Sequence, residues 1–317
     1  MSAVPKILPK LSYDQLYTFV WTSESKTLPL GYMLPSVLDS LIHTPRDVRG
    51  DISVDHTHKT VSAFALASKE ERTNQIAKVT SYWRTHHTFN ELRGWRDELW
   101  PVYGSSGELL FDIERSASGL FGFNRYGVQL VAFTRDSDED DEMKVWIGKR
   151  SLSTKTYPGL LDNVAAGGIP TGEQPLPSIL REAKEEAGFE PSVLSNIEHF
   201  GCVSYVYESN TGLICPEAQW LYEVELPKEI IPKPGDNEVE GFLLATTEQI
   251  RQWIVEGLFK PNCAIALLRF MLRHNPSLVS RSHELKDAER TISQKLPFPV
   301  PEGLESSYYE ASDKQHR

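Results

Sequence analysis

Apolar residues recur at helical intervals in some stretches of the chain and alternate or cluster in others, which divides it into elements. Residues 13–21, 33–42 and 70–83 space their apolar side chains about one turn apart, with Ser12 and Ser36 near the first two starts, and predict amphipathic helices. Residues 61–66 and 109–115 are short apolar runs rich in strand formers and predict strands. Together these predict a small α+β domain over residues 1–118. From Gly127 the pattern turns to strands, at 128–133 and 144–149, separated by an acidic run at 136–142. That run lacks the glycine and ordered ligand spacing of a calcium loop, so it reads as a solvated hairpin connection. Further strands are predicted at 200–207, 219–226 and 240–245. Thr247 opens a helix to about Gly257, and Pro261 opens another that runs through His274. An α/β domain over residues 119–276 follows, with 277–317 a polar, proline-scattered tail expected to pack loosely.

Within this domain, one helical segment carries chemistry. Residues 167–189 read GGIPTGEQPLPSILREAKEEAGF. Ser178 is expected to cap the helix, between Pro177 before it and Gly188 as its stop, while Ile179, Leu180, Ala183 and Ala187 form a buried stripe. Glu182, Glu185 and Glu186 then fall at i, i+3 and i+4, so three carboxylates share one face. Like charges at that spacing repel, and a hard divalent cation, Mg2+ or Mn2+, relieves the repulsion. Gly167, Gly168 and Thr171-Gly172, just before the helix, let backbone approach an anionic group closely.

The spacing is Gly167, five residues, Glu173, seven residues, then Arg181-Glu182-Ala183-Lys184-Glu185-Glu186-Ala187-Gly188-Phe189. It resembles the signature GX5EX7REUXEEXGU of the Nudix hydrolases, where U is apolar, and every fixed position is filled. The resemblance implies an α/β/α sandwich in which magnesium bridges a small-molecule diphosphate while water attacks phosphorus. It implies that Glu182, Glu185 and Glu186 are metal ligands, and that Glu185 or Glu186 also helps deprotonate the water. Arg181 would orient a helix glutamate, Glu173 would anchor the loop or stand near the metals, and Gly167 and Gly168 would flank the substrate. Such enzymes often take a further ligand or base from a later strand or loop. Glu217 is the candidate here, a plain surface carboxylate being the alternative, and Glu238 and Glu240 are weaker ones.

The flanks narrow the resemblance. Residues 95–103, 113–122, 157–168 and 259–264 are similar to the group related to the Nudix portion of fungal thiamine pyrophosphokinases, which has stand-alone fungal and plant members. The similarity spans about residues 10–275. It implies hydrolysis of thiamine diphosphate, or of its oxo and oxy analogues, to the monophosphate. The chain is too short to add a kinase domain, so thiamine phosphorylation is not expected. Trp95, Trp100, Phe121, Tyr205, Tyr207 and Trp220 are aromatic candidates for a stacking wall, with a core role as the alternative for each. Competing readings keep the chemistry on nucleoside diphosphate derivatives such as ADP-ribose, or reduce the domain to a non-catalytic binding module. An isoprenoid isomerase would need a reactive cysteine where this chain has Val164-Ala165-Ala166.

Composition restricts partners and compartment. The 317 residues are 40% hydrophobic and 24% charged, with a formal net charge of -11, which suits a globular protein and disfavours a nucleic-acid partner. No apolar run approaches the roughly 18 residues that span a membrane, and the N-terminus lacks the apolar core of a signal peptide. Three scattered cysteines, Cys202, Cys215 and Cys263, suit a reducing compartment, so a cytoplasmic location is expected. Asp55-His-Thr-His and His86-His87 read as polar turns. A homodimer is an assembly the sequence leaves open.

Overall fold

The structure is a computed structural model and describes residues 13–23, 26–136, 142–154, 156–209, 211–275 and 296–300. The N-terminal part contains strands β1 (Tyr17–Ser23) and β2 (Lys26–Met33), helices α1 (Pro35–His43) and α2 (Arg46–Arg49), strands β3 (Ile52–Asp55) and β4 (Thr60–Ala63), helix α3 (Lys69–Thr85), and hairpin β5 (Leu99–Tyr103) and β6 (Leu109–Glu114). One sheet has the order β2-β1-β4-β3, and β5 pairs with β6 in a second. Phe19, Phe64, Trp83, Phe111, Phe121 and Phe123 fill the core between the sheet, α3 and the hairpin. A capping box between Ser68 and Glu71 starts α3.

Residues 13–21 are not a helix. After a short 3-10 turn at Tyr13–Gln15 the chain enters β1. Tyr17 and Phe19 are buried while Thr18 and Val20 are half-buried, a period of two that aromatic and β-branched side chains favour in a sheet. The strand expected at 61–66 ends at Ala63, because Phe64 turns the backbone with φ 60.

The second part contains β7 (Arg125–Asp136), β8 (Glu142–Arg150), β9 (Leu161–Asp162), β10 (Ala165–Gly168), helix α4 (Pro175–Ala187), β11 (Glu198–Glu208), β12 (Ile214–Glu225), β13 (Val239–Thr246), α5 (Thr247–Val255) and α6 (Pro261–His274). The central sheet runs β11-β12-β7-β8-β13, with β10 paired to β7 and β9 to β8. The β12–β7 pair is parallel, and the remaining pairs in this sheet are antiparallel. Alternation along β7 makes the layers. Val128, Leu130 and Ala132 pack with Ile179 and Ala183 of α4, while Val131 and Phe133 pack with Ile265 and Phe270 of α6. The result is the expected α/β/α sandwich behind a strand-containing N-terminal domain.

Helix α4 begins three residues before the expected cap. Gln174 is the N-cap and makes no side-chain cap bond, and Pro175 and Pro177 occupy the first turn, where their missing N–H groups cost little. Ser178 is buried inside the helix and binds Glu173 instead. Gly188 closes the helix in the left-handed region, φ 66.

The acidic stretch 137–141 and most of 277–317 lie outside the described residues. Residues 296–300 do not pack loosely: Leu296, Phe298 and Val300 are buried, and Tyr126 Oη donates to Pro299 O at 2.8 Å. A seam joins the two parts, where Leu99 O accepts Thr171 N at 2.9 Å.

Candidate active site

Gly167 sits in β10 with its α-carbon against the Glu182 side chain of α4, so that any Cβ there would overlap the Glu182 carboxylate. This packing places the polar face of α4 beside the Gly167-Gly168 backbone. On that face Arg181 gathers the carboxylates. It binds Glu173 bidentately, Nε to Oε1 at 3.1 Å and Nη2 to Oε2 at 3.0 Å, while Nη1 reaches Glu182 at 2.9 Å and Glu185 at 3.1 Å. Ser178 Oγ donates to the same Glu173 at 2.6 Å. The Arg181 hydrogen bond, followed by that of Ser178, holds Glu173 below the usual carboxylate range against some burial. Glu173 is thus a loop anchor.

Glu186 points inward. It is buried, and its Oε2 accepts Ala166 N of β10 at 2.8 Å. Burial, with the charge of Asp162 next, pushes its carboxyl well above the usual range. Burial also pushes Glu182 up to about 7, with Arg181 pulling the other way. Glu186 makes no ion pair among the described residues, which is the environment a divalent cation suits, whereas Glu182 already pairs with Arg181. Among the described residues no three His, Cys, Asp or Glu side chains already converge as a cage; Arg181 is the countercharge to Glu182 and Glu185.

These carboxylates open onto a cleft of about 540 Å³ whose lining comes from both parts of the chain. Opposite α4 stands Glu217 of β12, which accepts Tyr205 Oη at 2.6 Å, Tyr207 Oη at 3.1 Å and Gln219 Nε2 at 3.1 Å. Its side chain is only 12% exposed and Arg125 lies 4.0 Å away, so the surface-carboxylate alternative does not apply. Glu238 also lines the cleft, whereas Glu240 pairs with Lys149 and is half exposed.

The sequence reading missed the floor. Gln219 Oε1 accepts Gln129 Nε2 at 2.9 Å, and Gln129 Oε1 accepts Asn163 Nδ2 at 2.7 Å. Next to Asn163, Asp162 takes Arg150 at 2.7 Å, Cys263 Sγ at 2.5 Å and its neighbour's N–H at 2.9 Å, with Lys260 at 3.6 Å. Burial alone would raise Asp162, but Lys260, Cys263 and Arg150 outweigh it and hold the carboxyl below its usual range. The signal available was the phrase at 157–168, which contains Asp162 and Asn163, though nothing in it named their partners.

Of the six aromatic candidates, Trp100, Tyr205 and Tyr207 line the cleft. Phe121 and Trp220 are core residues, and Trp95 bonds Asp97 and stacks under Arg84. Tyr126 and Tyr157 line the cleft and were not foreseen. Asp55 and His58 form an exposed local pair, as the polar-turn reading expects. Among the described residues no helix is long and apolar enough to cross a membrane.

Comparison with known proteins follows the same division. Residues 51–125 match a family described as a domain of unknown function, DUF4743, and residues 126–262 match the NUDIX domain. An uncharacterized protein of Saccharomyces cerevisiae is 29% identical over 75% of this chain and 72% of its own length. Nudix hydrolase 20, chloroplastic, of Arabidopsis thaliana is 34% identical over 66% of this chain. The match spans about half of that plant protein, 54%. Among solved structures, the NUDIX domain of Shewanella oneidensis NrtR, complexed with ADP ribose, aligns at TM-score 0.39 and 17% identity, covering 49% of this chain and 91% of that one. The segment that folds as the sandwich, with Arg181, Glu182, Glu185 and Glu186 on its α4, is thus the one that resembles the NUDIX domain, and the segment before it resembles DUF4743.

Proposed function

We propose that this chain is a Mg2+- or Mn2+-dependent pyrophosphohydrolase that cleaves thiamine diphosphate, or its oxo and oxy analogues, to the monophosphate and phosphate. The observation that carries the chemistry is the placement of Glu182, Glu185 and Glu186 on one wall of a cleft that Arg96, Arg115, Arg125, Arg150 and Lys260 also line. Carboxylates recruit the cation, and guanidinium and ammonium groups receive the phosphoryl oxygens.

Glu182, Glu185 and Glu186 would hold the cation, which neutralises charge on the phosphoryl oxygens and makes water a better nucleophile. Arg181, fixed by Glu173, keeps Glu182 and Glu185 facing the cleft. Glu186 is held by the Ala166 N–H at a fixed depth beside the Gly167-Gly168 backbone. Glu217, braced by Tyr205 and Tyr207, stands opposite as a proton acceptor or further ligand. Glu185 or Glu186 is the alternative acceptor.

The thiamine assignment is supported by the flanking phrases, whose residues Trp100, Arg115, Tyr157 and Lys260 all line the cleft. Within it, the oxo analogue has no thiazolium charge and so avoids repulsion from Arg115 and Arg125. We place the activity in the cytoplasm on the composition and cysteine usage, and on a small-molecule substrate without nucleic acid. Phosphate release from a panel of diphosphates in Mg2+ tests the reading. Turnover of thiamine compounds that chelator abolishes supports it; equal or better turnover of ADP-ribose or oxidised nucleotides overturns the thiamine assignment.

A further inference from the structure

The DUF4743 region supplies part of the cleft wall. Arg115 follows β6 and begins a 3-10 turn, Arg115–Leu120. Its Nη1 binds Glu98 at 2.9 Å, and its guanidinium lies 5.0 Å over the Trp100 ring. Trp100 is itself fixed, since its Nε1 donates to Glu98 at 2.8 Å and its ring edge lies against Gly168. Glu98 therefore holds together an aromatic plate set against Gly168 and a guanidinium stacked on that plate. Glu98 engages Arg115 through one nitrogen, which leaves guanidinium N–H groups to meet a ligand.

A second observation points the same way. Ser116 also lines the cleft, and its Oγ is buried without a hydrogen-bond partner among the described residues. A buried hydroxyl left unpaired is costly unless a ligand satisfies it. Adjacent Arg and Ser side chains, one charged and one needing an acceptor, suit an oxyanion bearing several acceptor atoms.

Resting on the diphosphate reading above, we propose that Arg115 and Ser116 form an anion subsite that binds a phosphoryl group of the substrate, so that the DUF4743 region is part of the substrate-binding site. Inorganic pyrophosphate with Mg2+ is the probe, titrated calorimetrically into the full chain and its Arg115→Met, Arg115→Lys and Ser116→Ala variants. Thermal unfolding confirms that each variant is folded. Arg115→Met is expected to weaken pyrophosphate binding about tenfold or more, Ser116→Ala about threefold, and Arg115→Lys to recover much of the loss. In hydrolysis, KM should rise about as much in Arg115→Met while kcat changes by less than about threefold. Pyrophosphate affinity within a factor of about two of the parent in a folded Arg115→Met variant overturns the subsite, as does a parent that binds no pyrophosphate. A parent that binds pyrophosphate through Arg115 but hydrolyses no diphosphate keeps the subsite and removes the hydrolase reading instead.

Discussion

Thr171 Oγ1 donates to Asp112 Oδ1 at 2.7 Å, and the other Asp112 oxygen takes Lys69 Nζ at 2.7 Å. The loop that leads into α4 is thereby tied to β6 and α3 of the N-terminal domain through one buried carboxylate. Thr171→Val keeps the side-chain shape but removes the donor. We expect a stability loss of about 1–2 kcal/mol, with a larger proportional loss of hydrolysis because the Gly167–Glu173 loop shifts. Denaturant unfolding and kcat/KM measured on the same preparation check this. Unchanged activity would show that the strap has no hold on the site.

Gly167→Ala tests the packing of β10 against α4. The added methyl would overlap the Glu182 carboxylate, and if Glu182 holds the cation as proposed, moving it by about 1 Å costs on the order of a hundredfold in rate. Hydrolysis should fall by about that factor, with Mg2+ affinity falling too, while far-ultraviolet circular dichroism stays that of the parent. Wild-type kinetics would mean that Glu182 has another workable position.

The raised carboxyls of Glu182 and Glu186 give stability a pH dependence with a definite sign. Their ordinary value is 4.5, and Glu182 is pushed up to about 7 in the folded chain. The folded state therefore binds more protons than the unfolded state between these values, and metal-free stability falls as pH rises from 4.5 through 7. On the proposed metal site, saturating Mg2+ should flatten that slope by binding the ionised carboxylates, with Mg2+ affinity itself rising over the same window. Thermal unfolding between pH 5 and 8, with chelator or with Mg2+, measures both. A chelator curve that rises over this window would contradict the burial of these groups.

The arrangement of α4 was legible in the sequence because a helix places Glu182, Glu185 and Glu186 on one face by local spacing alone. The Glu173–Arg181 ion pair was harder to foresee, since it needs the turn before the helix to fold back. The floor of the cleft was not legible. Asp162 and Cys263 are 101 residues apart and Gln129 and Gln219 are 90 apart, so only the tertiary fold brings them together. The misreading of residues 13–21 has a local cause. Leu16, Tyr17, Phe19 and Val20 fit a helical stripe as well as an alternating strand, and pairing of β1 with β2 and β4 decides between the two.

Glu217 allows a sharper separation of chemistry from structure. Its carboxylate accepts Tyr205, Tyr207 and Gln219, and the half-buried guanidinium of Arg125 lies 4.0 Å away. Glu217→Gln retains an acceptor for the tyrosines but removes the negative charge, leaving Arg125 without that partner. A stability loss of about 1–3 kcal/mol is expected from the structural role. A proton acceptor in the reaction would add a fall in kcat of about a hundredfold or more. Tyr205→Phe provides the comparison, because it disturbs the same network without touching the charge. If both variants lose activity equally, Glu217 positions the cleft wall and the proton goes to Glu185 or Glu186.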